Sequence, residues 1–417
     1  MKQILASGFL LSTLFSFSQQ VDAGNGHAII LDKHNTVWTV GRNNHGQLGV
    51  NTVWYASLPV KVQLPPIKKI ARGYDHTIAI DFDNKIWIWG NNNFGQLGLN
   101  HFTDQSIPVQ INSESSFTDA AGGYTHSLFL KSDGSVWAVG SNIYGESGNS
   151  IPKSSSELNP VVNQNNLPLK GIVSVETVGN HSMALDSNGE LYSWGANYYG
   201  ELGHFKNTSQ AFAAKIDSID NIQSIAVGWG HSVALDSNGR VFVWGAIPAT
   251  YSSSNKTSFY SEITELTDLP KIVKIACGSW HAMAIDFEGK VWVWGRNNYG
   301  MLGLGDSLNR EKPIRIDRID NAVEIGAGCF QSMIIKKDGS VYTFGDNNCG
   351  QQGVGNRQRI FDPQVMHFHG ATNDMSSGNK YSNLILFFCS LFLILGLVAI
   401  FFSLKKFRNR KSILHSN

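Results

Sequence analysis

The sequence predicts an all-β, seven-bladed β-propeller with about four strands per blade. Three observations carry this reading. One motif recurs seven times, its period is close to fifty residues, and each copy is built of short alternating runs separated by turn residues. The clearest copies are IARGYDHTIAIDFDNKIWIWGNNNFGQLG, from Ile70 to Gly98, and IACGSWHAMAIDFEGKVWVWGRNNYGMLG, from Ile275 to Gly303. The anchor is a histidine at His27, His76, His126, His181, His231 and His281, with Gln331 in seventh place, and the steps between anchors are 49, 50, 55, 50, 50 and 50 residues. Strand-rich repeats of this length stack into a ring or an array, because one repeat alone cannot bury its own apolar face.

Within a repeat, the run after the anchor (HTIAID, HSVALD) alternates with period two and reads as a strand. A four-residue turn follows and ends in Asn or Gly in all seven copies: Asn35, Asn84, Gly134, Gly189, Gly239, Gly289 and Gly339. Those two residue types best tolerate the positive φ of a tight hairpin. The next strand carries aromatic residues two apart, as in Trp87/Trp89 and Trp292/Trp294. Residues i and i+2 share one face of a strand, so each repeat offers an aromatic face to a neighbouring sheet. That strand ends at a glycine, and six copies continue into a loop of the form NNxGQLG. Two more short strands follow. One often begins at a proline (Pro59, Pro108, Pro160, Pro313, Pro363), and the other ends at the glycine three before the anchor. On this phasing the first repeat lacks its proline strand, and Pro363–Phe368 is left over at the end. The expectation is that this C-terminal strand pairs into blade one and closes the ring, which removes exposed sheet edges.

These repeats resemble those of the regulator of chromosome condensation family: Gly-x-x-His, a tryptophan strand, then Asn-x-x-Gly-Gln-Leu-Gly. The resemblance implies a seven-bladed propeller and, as the family's activity, guanine-nucleotide exchange on a small GTPase. Three copies depart from the pattern. Repeat four has Val178 in place of glycine, repeat five has GAIPATYSSSNKTSFY in place of the loop, and repeat seven has Gln331 in place of histidine.

The ends read as targeting segments. In Met1–Ser18 one lysine precedes an apolar run of about fourteen residues, the pattern of a signal peptide cleaved before Gln19. The propeller then covers 19–369, and 370–380 form a short stalk. Leu384–Leu404 is 21 residues without a charge, enough to span a bilayer as a helix. The tail, 405–417, opens with Lys405, Lys406, Arg408, Arg410 and Lys411, so the positive-inside rule makes it cytoplasmic. The expected product is a single-pass type I membrane protein with a lumenal or extracellular propeller.

Charge and chemistry narrow the function classes. The chain has 33 basic and 32 acidic residues; six of the basic ones are Lys2 and the tail residues, so the outer domain is mildly acidic. It carries no electrostatic footprint for nucleic acid. No phosphate loop, paired-cysteine motif or nucleophile elbow is present, and no catalytic, cofactor-binding or metal-binding set is expected. Six histidines at one phase of a ring lie too far apart to share a metal, so a structural role is expected, with the ring nitrogens bonding nearby loop backbone. His367 and His369 share a strand face, but no third zinc ligand is visible. Cys277, Cys329 and Cys349 are an odd set rather than a disulfide framework, although a Cys277–Cys329 bridge is conceivable. Asn180, Asn207 and Asn255 begin glycosylation sequons, the last two in loops and therefore the better acceptors. Tyr74, Tyr124, Trp229 and Trp280 stand just before anchors and could form an aromatic rim at one mouth of the ring. Such a rim would bind a protein or glycan ligand; the alternative is packing under a loop. Two functions remain: a membrane-anchored interaction module, or exchange on a small GTPase with the insertion Asn149–Lys170 as the wedge.

Overall fold

The computed structural model describes residues 19–368, apart from 52–53, 113, 152, 205–207 and 247–259. The expected signal peptide, stalk, membrane span and tail fall outside the described residues, as do Asn207, Asn255, His369 and nearly all of the segment that replaces the loop of repeat five. Among the described residues no helix is long and apolar enough to cross a membrane.

Twenty-eight strands form seven four-stranded antiparallel sheets, and each sheet takes four consecutive strands. Blade one is Gln20–Ala23, His27–Leu31, Val37–Arg42 and Tyr55–Lys61. Blade seven is Ala322–Ala327, Gln331–Lys336, Val341–Gly345 and Ile360–Val365. The expected closure is therefore wrong. The C-terminal strand pairs with its own neighbour, Tyr342 opposite Val365, and blade one has a proline strand of its own, with Trp38 opposite Lys61. The reason is local. The NNxGQLG loop turns the chain straight back onto the strand before it, so each proline strand completes the blade it follows. The ring closes instead through side chains: Met333, Ile335, Val341 and Met366 of blade seven pack on Val21, Ala23, Ala28, Ile30 and Val40 of blade one.

The turns form as their composition requires. Asn35 has φ 61° and Asn84 has φ 63°, and the five glycines at the same position are also positive. The core is a set of aromatic wedges between blades. The second aromatic of each pair is fully buried against the preceding blade, as with Trp89 on Ile29, Leu31, Val37 and Val62. The residue two before it is half-buried, and at Trp38, Trp87 and Trp292 its indole N–H donates to the turn aspartate, as from Trp38 to Asp32 at 2.8 Å and from Trp292 to Asp286 at 2.9 Å. Those aspartates also accept main-chain N–H groups of their own turns, such as that of Lys290 at 2.9 Å. They are hairpin caps.

The segment Asn149–Lys170 is not a free wedge. It contains the fourth strand of blade three, Ser155–Pro160, and then an excursion held by the Val162–Pro168 and Asn163–Ala213 bridges.

Candidate functional site: the loop face and its aromatic mouth

In a four-stranded antiparallel sheet the first and third connections emerge at the same edge. The Gly-x-x-His loops and the NNxGQLG loops therefore share one face of the ring, and the hairpin turns occupy the other. The histidines tie this face together from below. His76 Nε2 meets the Ser127 hydroxyl at 2.8 Å, His126 meets Ser182 at 2.9 Å, His181 meets Ser232 at 3.0 Å and His281 meets Ser332 at 2.8 Å. His27 reaches Thr77 at 3.3 Å. Each partner stands one residue after the anchor of the next blade. The expected bond to loop backbone is thus corrected: the ring bonds a hydroxyl, and the hydroxyl bonds the loop. Thr77 donates to the Gln47 carbonyl at 2.9 Å, and Trp89 donates its indole N–H to the same oxygen at 2.9 Å. Ser182 and Trp194 converge in the same way on the Glu146 carbonyl. The loop is a latch, and histidine, hydroxyl, carbonyl and indole form one seam.

The anchor glycine explains its own motif. A Cβ on Gly73 would lie 2.0 Å from the His76 ring, so the ring folds back over a bare backbone. All six imidazoles are buried, and burial holds them neutral: His76, His126, His181 and His281 are pushed down to about 3, as is His27, where neighbouring cations add to the effect. They are not general acids or bases at neutral pH, and among the described residues no three His, Cys, Asp or Glu side chains are grouped to hold a metal. Cys277, Cys329 and Cys349 are free thiols, the first two buried.

The seam between blades five and six departs from this pattern. Blade five lacks the loop, blade six has Ala282 where five of the seven blades have a hydroxyl, so His231 faces no hydroxyl, and among the described residues Trp294 Nε1 has no hydrogen-bond partner.

Above the seams, three of the four predicted aromatics meet over the axis. Tyr74, Tyr124 and Trp229 come from blades two, three and five. Their ring centroids lie 4.5 Å apart for Tyr74–Tyr124, 5.1 Å for Tyr124–Trp229 and 5.8 Å for Tyr74–Trp229, all edge-to-face. A belt of main-chain bonds holds their loops, including Tyr74 N–H to the Gly123 carbonyl at 3.0 Å and Trp229 N–H to the Ser279 carbonyl at 2.9 Å. Burial raises the Tyr74 phenol far above its ordinary range. Tyr124 remains 38% exposed, so the cluster is both a plug and a surface. Trp280 is not part of it. It packs on Tyr199 at 6.1 Å, with the Arg296 guanidinium 5.5 Å from its ring. Asn180 is half-buried, and Ser182 of its sequon is fully buried in the seam.

The sequence reading missed two features. Ile143 and Tyr198, 65% and 62% exposed, flank a groove between the loops of blades three and four, where Tyr144 meets Tyr198 at 5.8 Å. Their loop position, one before the usual variable residue, was readable. The other feature is the polar lining of the axial channel.

A family model described as the RCC1-like domain matches residues 152–386, more than half of the chain. The chain belongs to the RCC1-like family. Models of the regulator of chromosome condensation (RCC1) repeat match 34–80 and 83–130, and a second repeat model matches 19–47, 67–96 and 117–146. Human alsin is 42% identical over 60 residues, which is 14% of this chain and 4% of alsin. The human E3 ubiquitin-protein ligase HERC2 is 50% identical over 44 residues, 11% of this chain and 1% of that protein. These stretches are about one repeat long, and the chain spans only a small part of either relative. Among solved structures, human WBSCR16 superposes with a TM-score of 0.70 at 22% identity, covering 81% of this RCC1-like chain and 96% of its own. Prp20p of Saccharomyces cerevisiae, described with its binding properties to Gsp1p and histones, gives 0.66 at 24% identity over 74% and 80%. Both likenesses are of fold.

Proposed function

We propose that this RCC1-like propeller is a membrane-anchored interaction module of the secretory pathway that binds a protein or glycan ligand on its loop face. The observation that carries the reading is the convergence of Tyr74, Tyr124 and Trp229 over the axis, with Tyr124 still exposed. Aromatic clusters with a wet edge are the usual anchors of an interface. The apolar N-terminal stretch, the charge-free run Leu384–Leu404 and the basic residues after it support the topology. The mildly acidic outer domain argues against nucleic acid as the ligand.

A second reading, regulation of a small GTPase, is favoured by membership of the RCC1-like family and by likeness in fold to Prp20p, which is described as binding Gsp1p. It requires the loop face to be cytosolic. Protease added outside sealed microsomes separates the two. The interaction-module reading expects a C-terminal tag to be digested, the propeller to be protected and the mature N-terminus to lie near Gln19. A protected tag, or a propeller cut from the cytosolic side, overturns it.

A further inference from the structure

The first strands of the blades line an axial cavity of about 200 Å³. Its wall is mostly small: Ala71, Ala121, Ala226, Ala276 and Gly326 stand at equivalent positions, five before the anchors. At that same level blade one carries Asp22 and blade four carries Glu176.

The other charges of the channel are matched. Arg72 Nε donates to Asp22 at 2.8 Å, and its Nη2 crosses the ring to the Cys277 carbonyl, also at 2.8 Å. Lys69 Nζ lies 2.5 Å from Asp119, and Lys274 pairs with Glu324. Three cations thus meet three carboxylates. Glu176 is the fourth carboxyl, and among the described residues it has neither an ion pair nor a side-chain hydrogen bond. Desolvation, with Asp119 and Asp22 nearby, pushes it up to about 8, against a smaller opposing pull from Lys69 and Arg72.

The two ends of the channel differ. Toward the loop face the next side chains are those of Tyr74, Tyr124 and Trp229, which pack on one another. On the hairpin-turn side the Lys69 and Lys274 side chains keep 39% and 42% of their surface exposed, so solvent reaches the channel there. The cavity holds the volume of roughly seven waters.

We propose that this channel is a binding site for an alkylammonium group, with the Glu176 carboxylate as its counter-ion. At neutral pH Glu176 rests protonated; its ionised form would need a cation, and every resident cation is already paired. The small wall leaves room for a short alkyl chain but not for a bulky one. The ammonium is carried either by a free small amine or by a lysine tip presented at the hairpin-turn face. On binding near neutral pH, Glu176 passes its proton to solvent as the ammonium takes its place.

The test is calorimetry on the full chain with n-butylammonium, tetrabutylammonium and a neutral-ended Gly-Lys-Gly tripeptide, in buffers of different ionisation heat at pH 7. The expected result is saturable binding of n-butylammonium with release of close to one proton, no binding of tetrabutylammonium, and at least a tenfold loss of affinity in Glu176→Gln. Binding of n-butylammonium alone assigns a free amine; binding of both it and the tripeptide assigns the lysine tip as well. Glu176→Asp keeps the charge and should bind more weakly than the parent but better than Glu176→Gln. The site is overturned if the parent binds neither amine, if tetrabutylammonium binds equally, or if a folded Glu176→Gln binds as the parent does. The comparison of the two ammonium ions on the parent needs no variant.

Discussion

The Gln331 carboxamide of the last blade donates a 2.8 Å hydrogen bond to the main-chain carbonyl of His27 in the first. The departure from histidine in repeat seven has a cause in that contact. The next blade offers Ala28, with no hydroxyl for an imidazole to reach, so a longer side chain bonds the main chain one residue earlier. The position where the ends of the ring meet thus keeps a polar tie of a different kind.

Removing that tie gives the first prediction. Gln331→Ala loses a buried hydrogen bond and leaves a small void, a cost of about 1–3 kcal/mol. Gln331→His alone should also destabilise, because its ring would face Ala28. The double variant Gln331→His with Ala28→Ser rebuilds the seam found elsewhere and should recover most of the loss. Urea unfolding of the four proteins measures the coupling, and strict additivity of the two substitutions would refute the explanation.

The seam between blades five and six predicts a change of opposite sign. Ala282→Ser places a hydroxyl where His231 Nε2 faces none and should stabilise by roughly 1 kcal/mol. Ser232→Ala, one seam earlier, breaks the link between His181 and the Glu201 carbonyl and should cost about 1–2 kcal/mol. Loss of stability in both variants would mean that His231 is satisfied in some other way.

The buried histidines make the ring acid-labile. Burial, the chief cause in all six, holds five of them at about 3 and His231 at about 4, where the His281 main chain partly offsets it; an unfolded histidine titrates near 6.5. Below pH 6.5 the unfolded chain therefore binds protons that the folded ring refuses, and stability falls as pH falls. Each histidine contributes about 1.4 kcal/mol per pH unit. Glu176 acts in the other direction. Its raised value contributes stability at acid pH that is lost as pH rises through about 8, and burial raises Asp22, Asp75 and Glu201 in the same sense, but the six imidazoles outnumber these four carboxyls. The urea midpoint should drop steeply between pH 7 and 5, and His281→Gln should reduce the slope by about one proton. A midpoint that stays flat over that range would show the imidazoles charged in the fold.

The aromatic mouth can be divided between packing and binding. Tyr124 is the exposed member yet also meets both other rings, so Tyr124→Ala should cost about 1 kcal/mol of stability and weaken ligand capture by more than that loss explains. Trp229→Ala removes contacts with both tyrosines and should lower stability by about 1–3 kcal/mol. Trp280→Ala leaves the cluster whole. The readouts are thermal melting and the proteins that co-purify with the full chain from secretory-pathway membranes. If Tyr124→Ala retains all of them, the mouth is not the contact surface.

The sequence shows the blade count, the hairpin turns and the aromatic wedges, because each depends on residues close together in the chain. It does not show which sheet a strand joins. Alternation identifies Pro363–Phe368 as strand-like whether its partner is Tyr342 or a residue of blade one, and only the path of the preceding loop decides. The hydroxyl partners were readable in principle, since Thr77, Ser127, Ser182, Ser232 and Ser332 all follow an anchor position. Their meaning appears only once neighbouring blades are placed side by side. The convergence of Tyr74 with Trp229, 155 positions apart, depends on the curvature of the whole ring. The isolation of Glu176 likewise depends on charges from five other blades.

Because every blade is a single uninterrupted stretch of chain, no β-ladder crosses the gap between the first and last residues of the ring. New termini could be cut into any link between blades, such as 111–116, with residue 368 joined to residue 19, and all seven sheets would keep their full set of strands. By the same logic, an in-frame duplication or loss of one period would add or remove a whole sector without orphaning a strand. In such a ring the number of sectors is limited by how the wedges fit around the circle, not by the need to bring the two ends of the polypeptide into one sheet.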